Sequence, residues 1–258
     1  MIENFVVKNL YGKNIRGIIN RPECSEKVPC IIYCHGLSGN RMEHNFMFVK
    51  IERSLEKLNI ASVRFDFTGS GESDGDFKNM TLSSEIEDCK NVLEFVKKLD
   101  YIDQNNINTL GFSMGAVVSL VLCSKHREEI RNTIFVSPAM NLYDIFIREI
   151  RGEKLQKFME YGLFDIDGKV IEKNVVDDIF NYNFYQCAKN VCQNTLIVHG
   201  DEDKSVPPIY SIILKDIISG KTLLKLVKGS DHCYDSPEYM NSLVNYIRWF
   251  TEKFIIII

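Results

Sequence analysis

The chain has no basic excess. Its 31 Lys and Arg stand against 35 Asp and Glu, for a net charge of -4. With no surplus cation to neutralise phosphates, a nucleic-acid partner is not expected, and no polybasic run suits an anionic membrane surface. No apolar run is long enough to span a bilayer. The nearest, Ile255-Ile256-Ile257-Ile258, is far too short and leaves three readings open: packing on the domain, a homodimer contact, or a sticky end. Met1 to Lys8 lacks the charged-then-apolar pattern of a signal peptide. The eight cysteines form no C-x-x-C pair and no metal-ligand spacing. Read as buried free thiols, they suit a reducing, cytoplasmic location. Internal repeats and low-complexity tracts are also missing. Asp165-x-Asp167-Gly168 has the look of a calcium-loop fragment, but the remaining ligands and the closing Glu are absent, so no metal is expected there.

What is present is the composition of a globular protein: 258 residues, 45% apolar and 26% charged. That length fits one α/β domain spanning 1–258 with a substantial core. Runs rich in β-branched residues alternate with helical periodicity, the pattern of a mainly parallel sheet with helices on both faces. Phe5 to Val7 and Ile15 to Ile19 read as an opening hairpin around Gly12-Lys13. Cys30 to Cys34, Ala61 to Phe65, Ile107 to Leu110, Thr133 to Val136, Leu196 to Val198 and Leu223 to Val227 read as further strands. Phe46 to Leu58 reads as helical. Leu82, Ile86, Cys89, Leu93 and Val96 recur at spacings of four and three along one helix face, with Thr81 or Ser83 available as its cap. Tyr239 to Phe250 closes the chain as an amphipathic helix. Between Pro138 and about Asn190 the alternation breaks into an irregular, aromatic and charged stretch. Within it, Leu163 to Ile166 and Lys169 to Ile171 flank Asp167-Gly168, a hairpin signal. Segment 138–190 is therefore expected to be a small cap inserted within the domain.

One junction points to chemistry. Gly111-Phe112-Ser113-Met114-Gly115 follows a strand and opens a small-residue helical run. Serine between two glycines at such a junction forms a nucleophile elbow, a turn so tight that side chains on either side would clash and the hydroxyl is pushed outward. A serine nucleophile needs a base, an orienting acid and oxyanion donors. Five histidines exist: His35, His44, His126, His199 and His232. His199 and His232 both follow the serine near strand ends. His199 terminates an apolar run and should be fixed in packing, whereas His232 sits in the polar loop Gly229-Ser230-Asp231-His232 and suits a proton shuttle. Asp203, held between a strand end and Val206-Pro207, is the favoured acid, with Asp201 as the alternative. The oxyanion donors are backbone N–H groups. Met114, at the new helix's N-terminus, supplies one. Leu37, in the turn His35-Gly36-Leu37 after the third strand, supplies the other.

With these parts in chain order, the sequence resembles the α/β-hydrolase superfamily over nearly its whole length. The resemblance is carried by His35-Gly36, the stretch Arg64-Phe-Asp66-Phe-Thr-Gly69-Ser-Gly71-Glu-Ser73-Asp-Gly75, the elbow, His199-Gly200-x-x-Asp203-x-x-Val206-Pro207, and His232. It is most similar to the bacterial cinnamoyl/feruloyl esterases, which share the Arg-x-Asp…Gly-x-Gly-x-Ser-x-Gly stretch, a His-Cys-Tyr-Asp run matching His232 to Asp235, and a small cap with a hairpin. Those esterases usually carry His before the nucleophile and Gln after it, where this chain has Phe112 and Met114, and Ala116 replaces a frequent second glycine. The resemblance implies Ser113, Asp203 and His232 as a catalytic triad, Leu37 and Met114 as the oxyanion hole, and a cap that contacts the acyl or aromatic part of the substrate. It implies a small-molecule ester substrate and no cofactor. Thioester and peptide hydrolysis use the same elbow, and a ligand-binding protein with little turnover is the alternative outside catalysis.

Overall fold

The computed structural model describes residues 1–24, 26–166 and 168–256. In chain order its elements are β1 (Ile2–Lys8), β2 (Asn14–Asn20), β3 (Val28–Cys34), α1 (Met47–Leu55), β4 (Ala61–Phe65), α2 (Leu82–Val96), β5 (Ile102–Phe112), α3 (Met114–Lys125) and β6 (Asn132–Val136). There follow α4 (Leu142–Glu149), α5 (Glu153–Tyr161), β7 (Leu163–Ile166), β8 (Lys169–Glu172), α6 (Asn174–Ile179), α7 (Phe184–Lys189), β9 (Asn194–Gly200), α8 (Ile209–Ile217), β10 (Thr222–Val227) and α9 (Pro237–Phe250).

Eight strands form one sheet in the order β1-β2-β4-β3-β5-β6-β9-β10. The pairs β1–β2 and β2–β4 are antiparallel, and every pair from β4 to β10 is parallel. This is an α/β-hydrolase fold with a mostly parallel central sheet. Both faces are covered, because successive strand residues point to opposite sides. In β3, Cys30, Ile32 and Cys34 pack with α2 and α3 in one core cluster, while Ile31 and Tyr33 pack with α1 and α9 in the other. A strand buried on both faces reads as a continuous apolar run, which is why β3 stands out in the sequence; in β4 the apolar Ala61, Val63 and Phe65 alternate with Ser62 and Arg64, and the buried Arg64 is paired with Glu52.

Local chemistry sets the helix starts. Thr81 caps α2 in a reciprocal box with Ser84, leaving two end groups satisfied. Ser83, the other candidate cap, instead bonds Asp178 and Tyr182. The 138–190 stretch resolves into four short helices and the antiparallel pair β7–β8. Asp167, half of the expected Asp-Gly turn, lies outside the described residues, while Gly168 has φ 78°. Phe164 of β7 stacks edge-on against Phe146 and Phe158. The Lys169 ammonium at the start of β8 donates to the Ser38 carbonyl, tying this segment to the loop after β3.

Four of the cysteines, Cys30, Cys34, Cys89 and Cys123, are buried. Cys24, Cys187 and Cys233 are half-buried and Cys192 is exposed, so the expectation of buried thiols holds only for those that face the sheet core. Ile255 is buried and its carbonyl accepts a bond from Asn106; Ile257 and Ile258 lie outside the described residues. Among the described residues no helix is long and apolar enough to cross a membrane.

Candidate active site

Strand order reverses between β3 and β5. From β3 the chain runs outward to β4, and from β5 it runs the other way through β6 to β10. Loops at the carboxyl ends of strands flanking such a switch point diverge and leave a crevice. Four loops meet there: residues 36–46 after β3, Ser113 after β5, Asp203 after β9 and His232 after β10. They border a cleft of about 470 Å³ whose walls include Gly36, Leu37, Glu43, Phe112, Ser113 and His232.

Ser113 has φ 51° and ψ -118°, an unfavourable conformation for a residue with a Cβ. Its neighbours hold it there. Its N–H donates to the Val136 carbonyl at 2.9 Å, and its carbonyl accepts from Ala116 at 3.1 Å and Ala139 at 3.2 Å. The flanking glycines are required by close approach. A Cβ on Gly111 would stand 2.4 Å from the Gly115 carbonyl oxygen, and one on Gly115 would stand 2.1 Å from the Cys34 oxygen and 2.3 Å from the His35 oxygen. The second contact brings the start of α3 against the end of β3, so the elbow and the 36–46 loop share one wall.

The Ser113 hydroxyl lies 3.0 Å from His232 Nε2. His232 Nδ1 lies 2.5 Å from Asp203 Oδ2. The ring of Phe112 flanks the imidazole, centroids 5.1 Å apart. Asp203 is fully buried at its side chain and accepts four bonds. Its Oδ1 takes the N–H groups of Ser205 and Val206 at 2.9 and 2.8 Å. Its Oδ2 takes His232 and, at 3.1 Å, His199 Nε2. Burial alone would raise the Asp203 pKa, but His199, His232 and the Val206 N–H outweigh it and hold the carboxyl far below the usual range. Asp203 therefore carries a fixed negative charge, which suits the orientation of an imidazole that becomes cationic.

The alternatives lie elsewhere. Asp201 Oδ1 accepts the Gly229 N–H at 2.6 Å, closing the turn after β10. His199 is wholly buried, with Nδ1 against Ser211 Oγ at 2.6 Å and Nε2 shared between Asp203 Oδ2 and the Val206 carbonyl. Two acceptors on Nε2 call for the proton there. His199 thus supports Asp203 from behind. Its place at the end of β9, four residues before Asp203, is the only signal of this in the sequence.

Met114 opens α3, and its N–H is one of the first-turn donors that find no intrahelical acceptor, at the positive end of the helix dipole. Its side chain is buried, so Met114 can offer the cleft its backbone. Leu37 borders the cleft beside Gly36, whose missing Cβ would sit 3.4 Å from Ser113 Cβ. His35, which the sequence marks only as part of a turn, orients this turn through its ring. Its Nδ1 donates to the Gly36 carbonyl at 2.9 Å, and its Nε2 accepts the Phe67 N–H at 3.1 Å. That pattern requires a neutral ring. Burial pushes its pKa down to about 4, against the Gly36 bond and Asp66, which pull it up. The unfolded chain then binds a proton that the fold refuses between about pH 6.5 and pH 4. The His35 contribution is complete above pH 6.5 and is lost as the pH falls toward 4, by an amount of the order of 3 kcal/mol. Urea melts across that range should show this slope in the parent and a shallower one in His35→Gln.

The family model described as "Serine aminopeptidase, S33" matches residues 25–169, more than half of the chain. The chain belongs to this family. Its sheet order and the match over residues 25–169 agree on the α/β-hydrolase fold. An uncharacterized 31.7 kDa protein from the traX-finO intergenic region of Escherichia coli is 33% identical over 94 residues, 36% of this chain and 32% of that protein. The chain thus spans about a third of that relative's length. Palmitoyl-protein thioesterase ABHD10, mitochondrial, of Homo sapiens is 24% identical over 242 residues, 85% of this chain and 74% of that protein. The solved structure of Est1E from Butyrivibrio proteoclasticus with bound ferulic acid matches with a TM-score of 0.87 at 24% identity, covering 97% of this chain and 99% of that one. At that identity the likeness is one of fold.

Proposed function

We propose that this S33-family hydrolase is a serine esterase that cleaves carboxylic esters through an acyl-enzyme on Ser113. The observation that carries the reading is the unbroken run from Ser113 Oγ to His232 to Asp203, at 3.0 and 2.5 Å, opening on a cleft. In the first half-reaction Ser113 Oγ attacks the ester carbonyl as His232 Nε2 takes its proton. Asp203 holds the Nδ1–H tautomer and stabilises the imidazolium. The Leu37 and Met114 N–H groups receive the oxyanion. The imidazolium then protonates the leaving alcohol as the carbon–oxygen bond breaks. Water repeats the cycle on the acyl-enzyme, with the same proton path.

The substrate we propose is an ester of a small or cinnamoyl acid, with the 138–190 segment acting as a cap over the acyl part. The likeness of fold to a protein solved with ferulic acid supports this choice. Hydrolysis of ethyl ferulate beside p-nitrophenyl butyrate, with Ser113→Ala as the blank, tests it. Release of ferulate at a kcat/KM within about tenfold of that for butyrate is expected. Activity on butyrate alone would leave the serine mechanism and discard the cinnamoyl preference. A thioester would react by the same steps, and the alignment with ABHD10, named as a palmitoyl-protein thioesterase, makes a thioester the second substrate to assay.

A further inference from the structure

Gly36 is the pivot of the oxyanion turn. It has no side chain to limit its two soft dihedrals, yet the direction of the Leu37 N–H depends on both. The peptide after Gly36 is fixed through its carbonyl, which accepts His35 Nδ1 at 2.9 Å and the Gly39 N–H at 3.0 Å. A trans peptide is planar, so holding that carbonyl aims the Leu37 N–H the opposite way. The peptide before Gly36 is fixed by a different group. Glu43 Oε2 accepts the Gly36 N–H at 2.7 Å, while Oε1 accepts the His44 N–H at 3.1 Å.

From this arrangement we infer that Glu43 is a positioning residue for the oxyanion hole: its carboxylate pins the first peptide of the turn so that the Leu37 N–H faces the carbonyl attacked by Ser113. The inference rests on the reading of Ser113 as nucleophile. Other features of the loop are shaped around this carboxylate. A side chain at Gly39 would stand 3.0 Å from both Glu43 oxygens, so the loop leaves room for them. Glu43 itself has φ 60° and ψ 170°, and Ser38, Asn45 and Phe46 also have positive φ, at 60°, 50° and 58°. Such a cluster of costly conformations persists only where the surroundings over-determine it, and it occurs mostly at working sites. The loop is also anchored at its far side. The Arg41 N–H donates to Asp66 Oδ1 at 2.7 Å, and His44 Nε2 meets Asp235 Oδ1 at 2.7 Å, three residues beyond His232. Burial raises the Glu43 pKa against the pull of its two N–H donors. The protein thus tolerates a desolvated carboxyl at the edge of its cleft.

The test uses full-length parent, Glu43→Ala, Glu43→Asp and Glu43→Gln. The readouts are kcat and KM for p-nitrophenyl butyrate, and Ki for an aryl trifluoromethyl ketone, whose serine hemiketal places an oxyanion in the hole. Loss of one oxyanion donor costs about 10²- to 10³-fold in kcat. A fall approaching that size is expected in Glu43→Ala, with KM within about threefold and Ki rising in step with the loss in kcat/KM. Glu43→Asp, which withdraws the carboxylate by one methylene, should fall similarly. Glu43→Gln, which keeps an acceptor for the Gly36 N–H, should recover to within about tenfold of the parent. A kcat within threefold of the parent in Glu43→Ala, or in Glu43→Asp should the alanine variant not fold, would overturn the inference. So would a loss carried by KM with Ki unchanged. A parent enzyme that neither turns over the ester nor forms the hemiketal would instead remove the reading of Ser113 on which this role depends.

Discussion

Replacing Ser113 by alanine should lower kcat on an ester substrate by about 10⁴-fold or more and leave a folded protein. The hydroxyl bonds His232 Nε2 and does nothing for the elbow itself. The elbow is held by backbone bonds to Val136, Ala116 and Ala139, which alanine keeps. Alanine also pays the same conformational cost at φ 51° as serine does, so the change in stability should stay within about 1 kcal/mol. Residual activity would come from the oxyanion donors and binding alone. Thermal melts and initial rates on the same preparation separate the two effects. A variant retaining a tenth of the parent's kcat would show that another group is the nucleophile.

The second large effect belongs to Asp203→Asn, which should combine a drop in kcat of about 10³- to 10⁴-fold with a loss of stability of a few kcal/mol. All four acceptor positions of the carboxylate face donors: two backbone N–H groups on Oδ1 and two imidazoles on Oδ2. An amide must turn its NH₂ toward one of these pairs. Facing the imidazoles, it forces His232 toward the wrong tautomer for a base. Facing the backbone, it opposes the N–H groups of Ser205 and Val206. The charge has its own pH signature. The folded pKa of Asp203 lies far below the unfolded one, so its contribution is present above the unfolded value near pH 4 and is lost as the pH falls through the folded value. Acid unfolding below pH 4 should therefore be shallower in Asp203→Asn than in the parent, as followed by circular dichroism.

How far the sequence could be read depended on whether the signal was local. β4 matches the expected strand Ala61 to Phe65 to the residue: Ala61, Val63 and Phe65 alternate toward one core cluster, while the buried Arg64 between them is paired with Glu52. β5 is longer than its apolar part. It begins at Ile102, and Asp103 to Asn106 give no strand pattern, since the first pairing is fixed across the sheet by Val28. Between β6 and β9 the helices run six to nine residues, too few turns for a periodic face to declare itself. In the candidate site, Ser113 was legible because its two glycines are demanded by contacts within and beside the turn. His232 and Asp203 were legible from their places after strand ends. The work of the His35 ring and of the Glu43 carboxylate was not. Each depends on the path of a loop with several left-handed residues, and no spacing in the chain encodes that path.

The reactivity of the Ser113 hydroxyl is the most direct test of the proposed nucleophile. Incubation of the native protein with a fluorophosphonate, followed by peptide mass mapping, measures it. A single adduct is expected, on Ser113, formed rapidly in the parent and strongly slowed in His232→Ala. An intact, folded protein that leaves Ser113 unmodified, or that carries the adduct on another residue, would contradict the proposed nucleophile.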